Sequence, residues 1–179
     1  MKRILIAYYS RSGNTPRVAA RLAADLGADL EEIVDPTCRS SMFGYQRSGF
    51  QAFFRRLAPI APPAHDPGAY DLVVVGTPIW DMSMSSPVRS YLRRHRSALP
   101  TVAFFCTCGG LGSERVFDQM TGECGREPVA RMVLTERDLA MSATPIAIAR
   151  FAVQIRAVLA HASSPNPAAR ACATAGARS

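Results

Sequence analysis

An α/β fold, a doubly wound parallel five-stranded sheet inside a three-layer sandwich, is predicted by three features of this 179-residue sequence. Short apolar runs rich in β-branched residues recur along the chain, and their continuous hydrophobicity suits strands covered on both faces. Between them apolar residues return at helical spacing, so strands and helices alternate. That alternation requires right-handed crossovers and hence a parallel sheet. A length of 179 residues with 48% hydrophobic content supports one domain with a substantial core. The expected domain is 1–161, with 162–179 as a disordered tail, because after His161 the chain turns to Ala, Ser, Pro and Asn without an apolar period.

The first strand is Arg3-Ile4-Leu5-Ile6-Ala7-Tyr8-Tyr9. Thr15-Pro16 reads as a helix cap with proline at the first helical position, followed by Val18, Ala19, Leu22, Ala23 and Leu26 at helical spacing, and Gly27 ends the helix. Leu30 to Val34 is a partly charged strand of the kind found at a sheet edge. From 36 to 69 the pattern is irregular, with a helical candidate at Phe50 to Leu57 and a proline cluster at Pro59, Pro62, Pro63 and Pro67. Tyr70 to Gly76 is again a buried strand, and Ser86-Pro87 opens a helix with Val88, Tyr91 and Leu92 on one face. Thr101 to Cys106 forms a strand, Ser113 starts a helix, Ala130 to Leu134 forms the last strand, and Thr144-Pro145 caps a final helix.

The formal charge is +7, and carboxylates are missing between Asp35 and Asp66, between Asp81 and Glu114, and after Asp138. The first two gaps hold Arg39, Arg47, Arg55 and Arg56, then Arg89, Arg93, Arg94 and Arg96. Such a surface attracts anions and suggests an anionic partner, although arginine is also simply the favoured basic residue of a chain whose sole lysine is Lys2. No apolar run reaches the ~20 residues of a bilayer span, and no signal-peptide pattern follows Met1. A cytoplasmic protein is expected, with its five cysteines reduced rather than in a disulfide framework. Neither a membrane span nor a nucleic-acid partner is expected.

In a sheet of this class ligands bind beyond the carboxyl ends of the strands. Three segments there are unusual. Ser10-Arg11-Ser12-Gly13-Asn14-Thr15 crowds hydroxyls and an amide into a glycine turn that leads into a helix, which makes either a neutral anion cradle or an ordinary polar turn. Gly76-Thr77-Pro78-Ile79-Trp80 brings the only tryptophan to the sheet rim, either to stack on a flat ring or to cap the core. Cys106-Thr107-Cys108-Gly109-Gly110-Leu111-Gly112 lets backbone approach a ligand closely, a weak signal when taken alone. Together they describe a ligand with a terminal phosphate and a planar polar ring, as FMN is.

In Tyr9-Ser10-Arg11-Ser12-Gly13-Asn14-Thr15, Gly76-Thr77-Pro78-Ile79-Trp80 and Phe105-Cys106-Thr107-Cys108-Gly109-Gly110 the chain resembles the flavodoxin-like FMN-binding proteins over about residues 3 to 160. The resemblance implies strand order 2-1-3-4-5. It implies that Ser10, Ser12, Asn14 and Thr15, with the N–H groups of Arg11 and Gly13, hold the FMN phosphate. Thr77, Pro78, Ile79 and Trp80, with Thr107, Cys108, Gly109 and Gly110, would flank the isoalloxazine.

Other phosphate-binding classes fail on residues. A P-loop requires G-x-x-x-x-G-K-[ST], and the only lysine is at position 2. A receiver domain would carry acidic residues after the first strand, and a small tyrosine phosphatase a cysteine in the first loop. Cys106 and Cys108 lack a companion pair for a metal, and His65, His95 and His161 are scattered, so no metal site and no catalytic side chain is assigned. Cys106 reads as a small buried hydrophobe, and Cys108 as a loop thiol that could react beside a flavin. The expected function is electron transfer with a redox partner protein. The alternative is reduction of a quinone-like small acceptor by NAD(P)H, and a third reading is an interaction module that has lost FMN. Asp81-Met82-Ser83 after Trp80, where carrier flavodoxins tend to have glycine, and the +7 charge both depart from the carrier pattern.

Overall fold

The computed structural model describes residues 2–11, 13–36, 57–141 and 143–161. Ser12, the predicted helix around 50–57, apart from Leu57, and the predicted tail 162–179 lie outside them.

Strands β1 (Ile4–Tyr8), β2 (Asp29–Glu32), β3 (Leu72–Trp80), β4 (Ser83–Met84), β5 (Thr101–Cys108) and β6 (Arg131–Thr135) form one sheet. Its path runs β2-β1-β3-β5-β6, all parallel, with β4 antiparallel to the end of β3 and off that path. The expected five strands in order 2-1-3-4-5 therefore become six. The addition arises because β3 does not stop at Gly76 but continues to Trp80, held by β5 as far as the Pro78–Thr107 register pair, and then folds back on itself.

Helix α1 (Asn14–Leu26) packs on one face of the sheet with α5 (Ala143–His161), and α2 (Ser86–Arg94) and α3 (Ser113–Cys124) pack on the other; α4 (Glu136–Ala140) links β6 to α5. Alternation along the strands divides the core between these layers. Leu5, Val73, Val75 and Phe104 meet Val88, Tyr91, Leu92 and Phe117, whereas Ile6, Leu72, Val74 and Phe105 meet Val18, Leu22, Phe151 and Ile155. Both faces are buried, which explains the unbroken apolar runs. Among the described residues no helix is long and apolar enough to cross a membrane.

Helix starts differ from expectation. Helix α1 begins at Asn14 after Gly13 in the left-handed region, so Pro16 stands third in the helix and Thr15 is not its cap. Thr144 lies inside α5 and its hydroxyl donates to the Asp138 carbonyl. Gly76 is required for space: a Cβ there would lie 2.1 Å from Phe105 Cζ. The glycine leaves room for the ring of Phe105, its register partner on β5.

Candidate functional site

The three segments meet at the carboxyl edge of the sheet, joined by contacts that include Tyr9 just before the first and Met82 just after the second. Thr15 Oγ1 and Thr107 Oγ1 lie 3.1 Å apart and both residues are buried, which ties the first segment to the third. Tyr9 and Trp80 meet edge to face with ring centroids 6.2 Å apart, which ties the first to the second. Gly112, at φ 93°, leaves only 3.0 Å between its own Cβ direction and Met82 Cα, which ties the second to the third.

In the first segment, Gly13 N–H donates to Ser10 Oγ over 3.1 Å, closing the turn. Gly13 sits at φ 87°, and no side chain caps α1. No acidic residue occupies its first turn. The N–H groups of Asn14 and Thr15 therefore have no intrahelical carbonyl to bond, and the positive end of the helix dipole is uncompensated. An anion is the group that satisfies such an end. Arg11 and Gly13 are exposed and Ser10 and Asn14 half-buried beside it. The Thr15 hydroxyl is turned into the protein toward Thr107, so its contribution to an anion is through its backbone N–H.

In the second segment, Thr77, Pro78 and Ile79 are buried within β3. Thr77 Oγ1 donates to the Pro78 carbonyl and accepts from Ser85 N–H at 3.1 Å, so its hydroxyl holds the entry to α2. Trp80 alone of the four reaches the rim, half-buried. Beyond it Asp81 and Met82 have φ 48° and 54°. Two positive values are what a two-residue hairpin turn with the native strand twist requires, a geometry that usually selects Asn-Gly. With side chains at both positions the conformation costs about 1–2 kcal/mol per residue, so tertiary contacts must hold it.

In the third segment Thr107 and Cys108 are buried, while Gly109 and Gly110 are exposed with nothing within 4 Å of their Cβ directions. Open space above two glycines is where a flat group can approach backbone. Cys106 is fully buried and burial pushes its thiol well above the ordinary range. Cys108 is 5% exposed and packs in the same core cluster, so neither thiol faces solvent at the loop.

Three of the four arginines on and just after α2 have partners, and Arg94 is exposed. Arg89 meets Glu123 at 2.6 Å and Gln119 Oε1 at 3.2 Å, Arg93 meets Glu123 at 3.3 Å, and Arg96 donates to the Gly122 and Glu123 carbonyls at the end of α3. Their charge compensates one carboxylate and one helix C-terminus.

The flavodoxin family model matches residues 3–128. This chain belongs to the flavodoxin family. The match covers β1 through α3, the whole of the candidate site described above. Among solved structures, a flavoprotein of Bacteroides eggerthii DSM 20697 is similar at a TM-score of 0.68 and 23% identity, over 87% of this chain and 99% of that one. A flavoprotein of Lactobacillus acidophilus NCFM, solved in complex with FMN, is similar at a TM-score of 0.65 and 20% identity, over 74% and 93%. A WrbA-like flavodoxin of Agrobacterium tumefaciens follows at 0.51 and 16%, over 87% and 99%. At these identities the likeness is one of fold. No curated protein matches the sequence.

Sequence reasoning missed Gln119 and the Asp81-Met82 turn. Neither carries a motif: Gln119 lies on a helix face outside all three segments, and Asp-Met is not a turn signal.

Proposed function

We propose that this flavodoxin-family chain binds FMN and works as a redox protein that transfers electrons through it. The observation that carries the reading is the start of α1, a helix N-terminus with a left-handed glycine, no capping side chain and no carboxylate in its first turn. A phosphate monoester fits there, held by Ser10 and Asn14 and by backbone N–H groups, without lysine or metal. The isoalloxazine would lie against Trp80 and the Gly109-Gly110 backbone.

When bound, FMN supplies the redox chemistry, and the protein supplies orientation and environment. Trp80 offers an aromatic wall whose angle Tyr9 fixes. Gly109 and Gly110 admit the ring edge to backbone hydrogen bonding. The buried hydroxyl pair Thr15–Thr107 holds the phosphate end and the ring end of the site at one spacing. No side chain is assigned to proton transfer.

Electron exchange with a partner protein is favoured over hydride transfer from NAD(P)H, because three of the four arginines that would meet a dinucleotide phosphate, Arg89, Arg93 and Arg96, are engaged by Glu123, Gln119 and carbonyl oxygens. The charge of +7 suits an acidic partner. Protein purified without added cofactor is expected to be yellow and to release FMN on denaturation. A colourless protein that ignores added FMN refutes the reading. Steady NADPH oxidation with a quinone and no helper reductase would replace the carrier by the reductase.

A further inference from the structure

We infer that Gln119, on α3 and outside every motif of the site, is a positioning residue that sets the pose of the β3–β4 hairpin, and with it Trp80, against the ligand. This rests on the FMN reading above and adds to it a residue that touches neither ring nor phosphate.

Gln119 bonds to the hairpin at three successive residues. Its Oε1 accepts from Ser83 Oγ at 3.2 Å and from Met84 N–H at 3.3 Å, and its Nε2 donates to the Met82 carbonyl at 3.4 Å. The same Oε1 accepts from Arg89 at 3.2 Å, and Arg89 is held by Glu123 one helical turn along α3. With N–H donors of Met84 and Arg89 both aimed at one amide atom, that atom must be the oxygen, so the orientation of the amide is determined. The hairpin needs such a clamp. Asp81 and Met82 occupy left-handed conformations that side-chain-bearing residues leave readily, and the strand that follows is two residues long. Trp80 is the register partner of Ser83, so a displacement of Ser83 passes straight to the tryptophan.

Trp80 is the only tryptophan of the chain, which gives a readout that does not need the cofactor. The full-length protein, FMN-free and FMN-loaded, is compared with Gln119→Leu, which loses all the bonds, and Gln119→Glu, which keeps the acceptor oxygens. Gln119 is only half-buried, so both variants are expected to fold, with circular dichroism and the melting temperature as the check. In Gln119→Leu, acrylamide quenching of Trp80 in the FMN-free protein rises roughly twofold, and FMN binds about tenfold more weakly. Gln119→Glu recovers most of both. Unchanged quenching, or loosened Trp80 with unchanged FMN affinity, overturns the proposal. If wild-type protein binds no FMN, the FMN reading fails by itself, and the quenching series still decides whether Gln119 poses Trp80.

Discussion

Helices α1 and α3 start alike and differ in what they can hold. Each follows a glycine in the left-handed region, Gly13 at φ 87° and ψ −4° and Gly112 at φ 93° and ψ 5°, and neither has a side-chain cap. Helix α1 has no acidic residue in its first turn, whereas α3 has Glu114 there. Gly13 has open space around it, whereas Gly112 is pressed against Met82. The same backbone device thus leaves an anion site in one place and closes a packing contact in the other. The chemistry of the first turn and the neighbour of the glycine make the difference, not the helix end itself.

The comparison breaks most visibly if the first turn of α1 is made like that of α3. Asn14→Asp puts a carboxylate beside the proposed phosphate, and FMN affinity in a fluorescence titration is expected to fall on the order of a hundredfold, a repulsion moderated by solvent at this half-buried position. Glu114→Gln on α3 leaves that affinity unchanged. Equal effects of the two substitutions would remove the distinction.

The glycines themselves give the next effect. Gly112→Ala combines left-handed strain with a collision at Met82 and should cost about 3 kcal/mol, or a melting temperature lower by about 9 °C. Gly13→Ala carries the conformational cost alone, about 1 kcal/mol, or about 3 °C. Thermal unfolding of the two proteins side by side tests this order.

The smallest effect comes from a third helix end. His95 is the C-cap of α2, where a dipole favours positive charge, yet burial and then Arg94 lower its pKa from 6.5. The folded form therefore binds its proton at lower pH than the unfolded chain. As pH falls below 6.5 the unfolded state takes up the proton first, and stability is lost down to the folded value. For a group that is only partly buried the loss should stay below about 1 kcal/mol. Urea unfolding from pH 7.5 to 5 should show the decline, and His95→Gln should reduce it.

Much of this protein was legible in one dimension because its signals are local. Apolar runs such as Ile4–Tyr8 mark strands buried on both faces, and Ser10-Arg11-Ser12-Gly13-Asn14-Thr15 marks a helix start rich in neutral donors, since both depend on residues adjacent in the chain. From the residues the sheet path was legible only as alternation, its order coming from the family resemblance, and β4 was invisible because Asp81-Met82 is no turn signal and owes its geometry to Gly112 and Gln119.

The sequence by itself determined the α/β class, the donor-rich loop and the arrival of a tryptophan and a glycine loop at one sheet edge. Tertiary structure alone decided which of those side chains face outward. Thr77 turned in to Ser85, Thr15 turned to Thr107, Arg89 and Arg93 turned to Glu123, and Arg96 turned to the end of α3. Those choices follow from partners about 8 to 92 residues away along the chain, because a buried hydroxyl or charge must be satisfied by whatever the fold brings within reach.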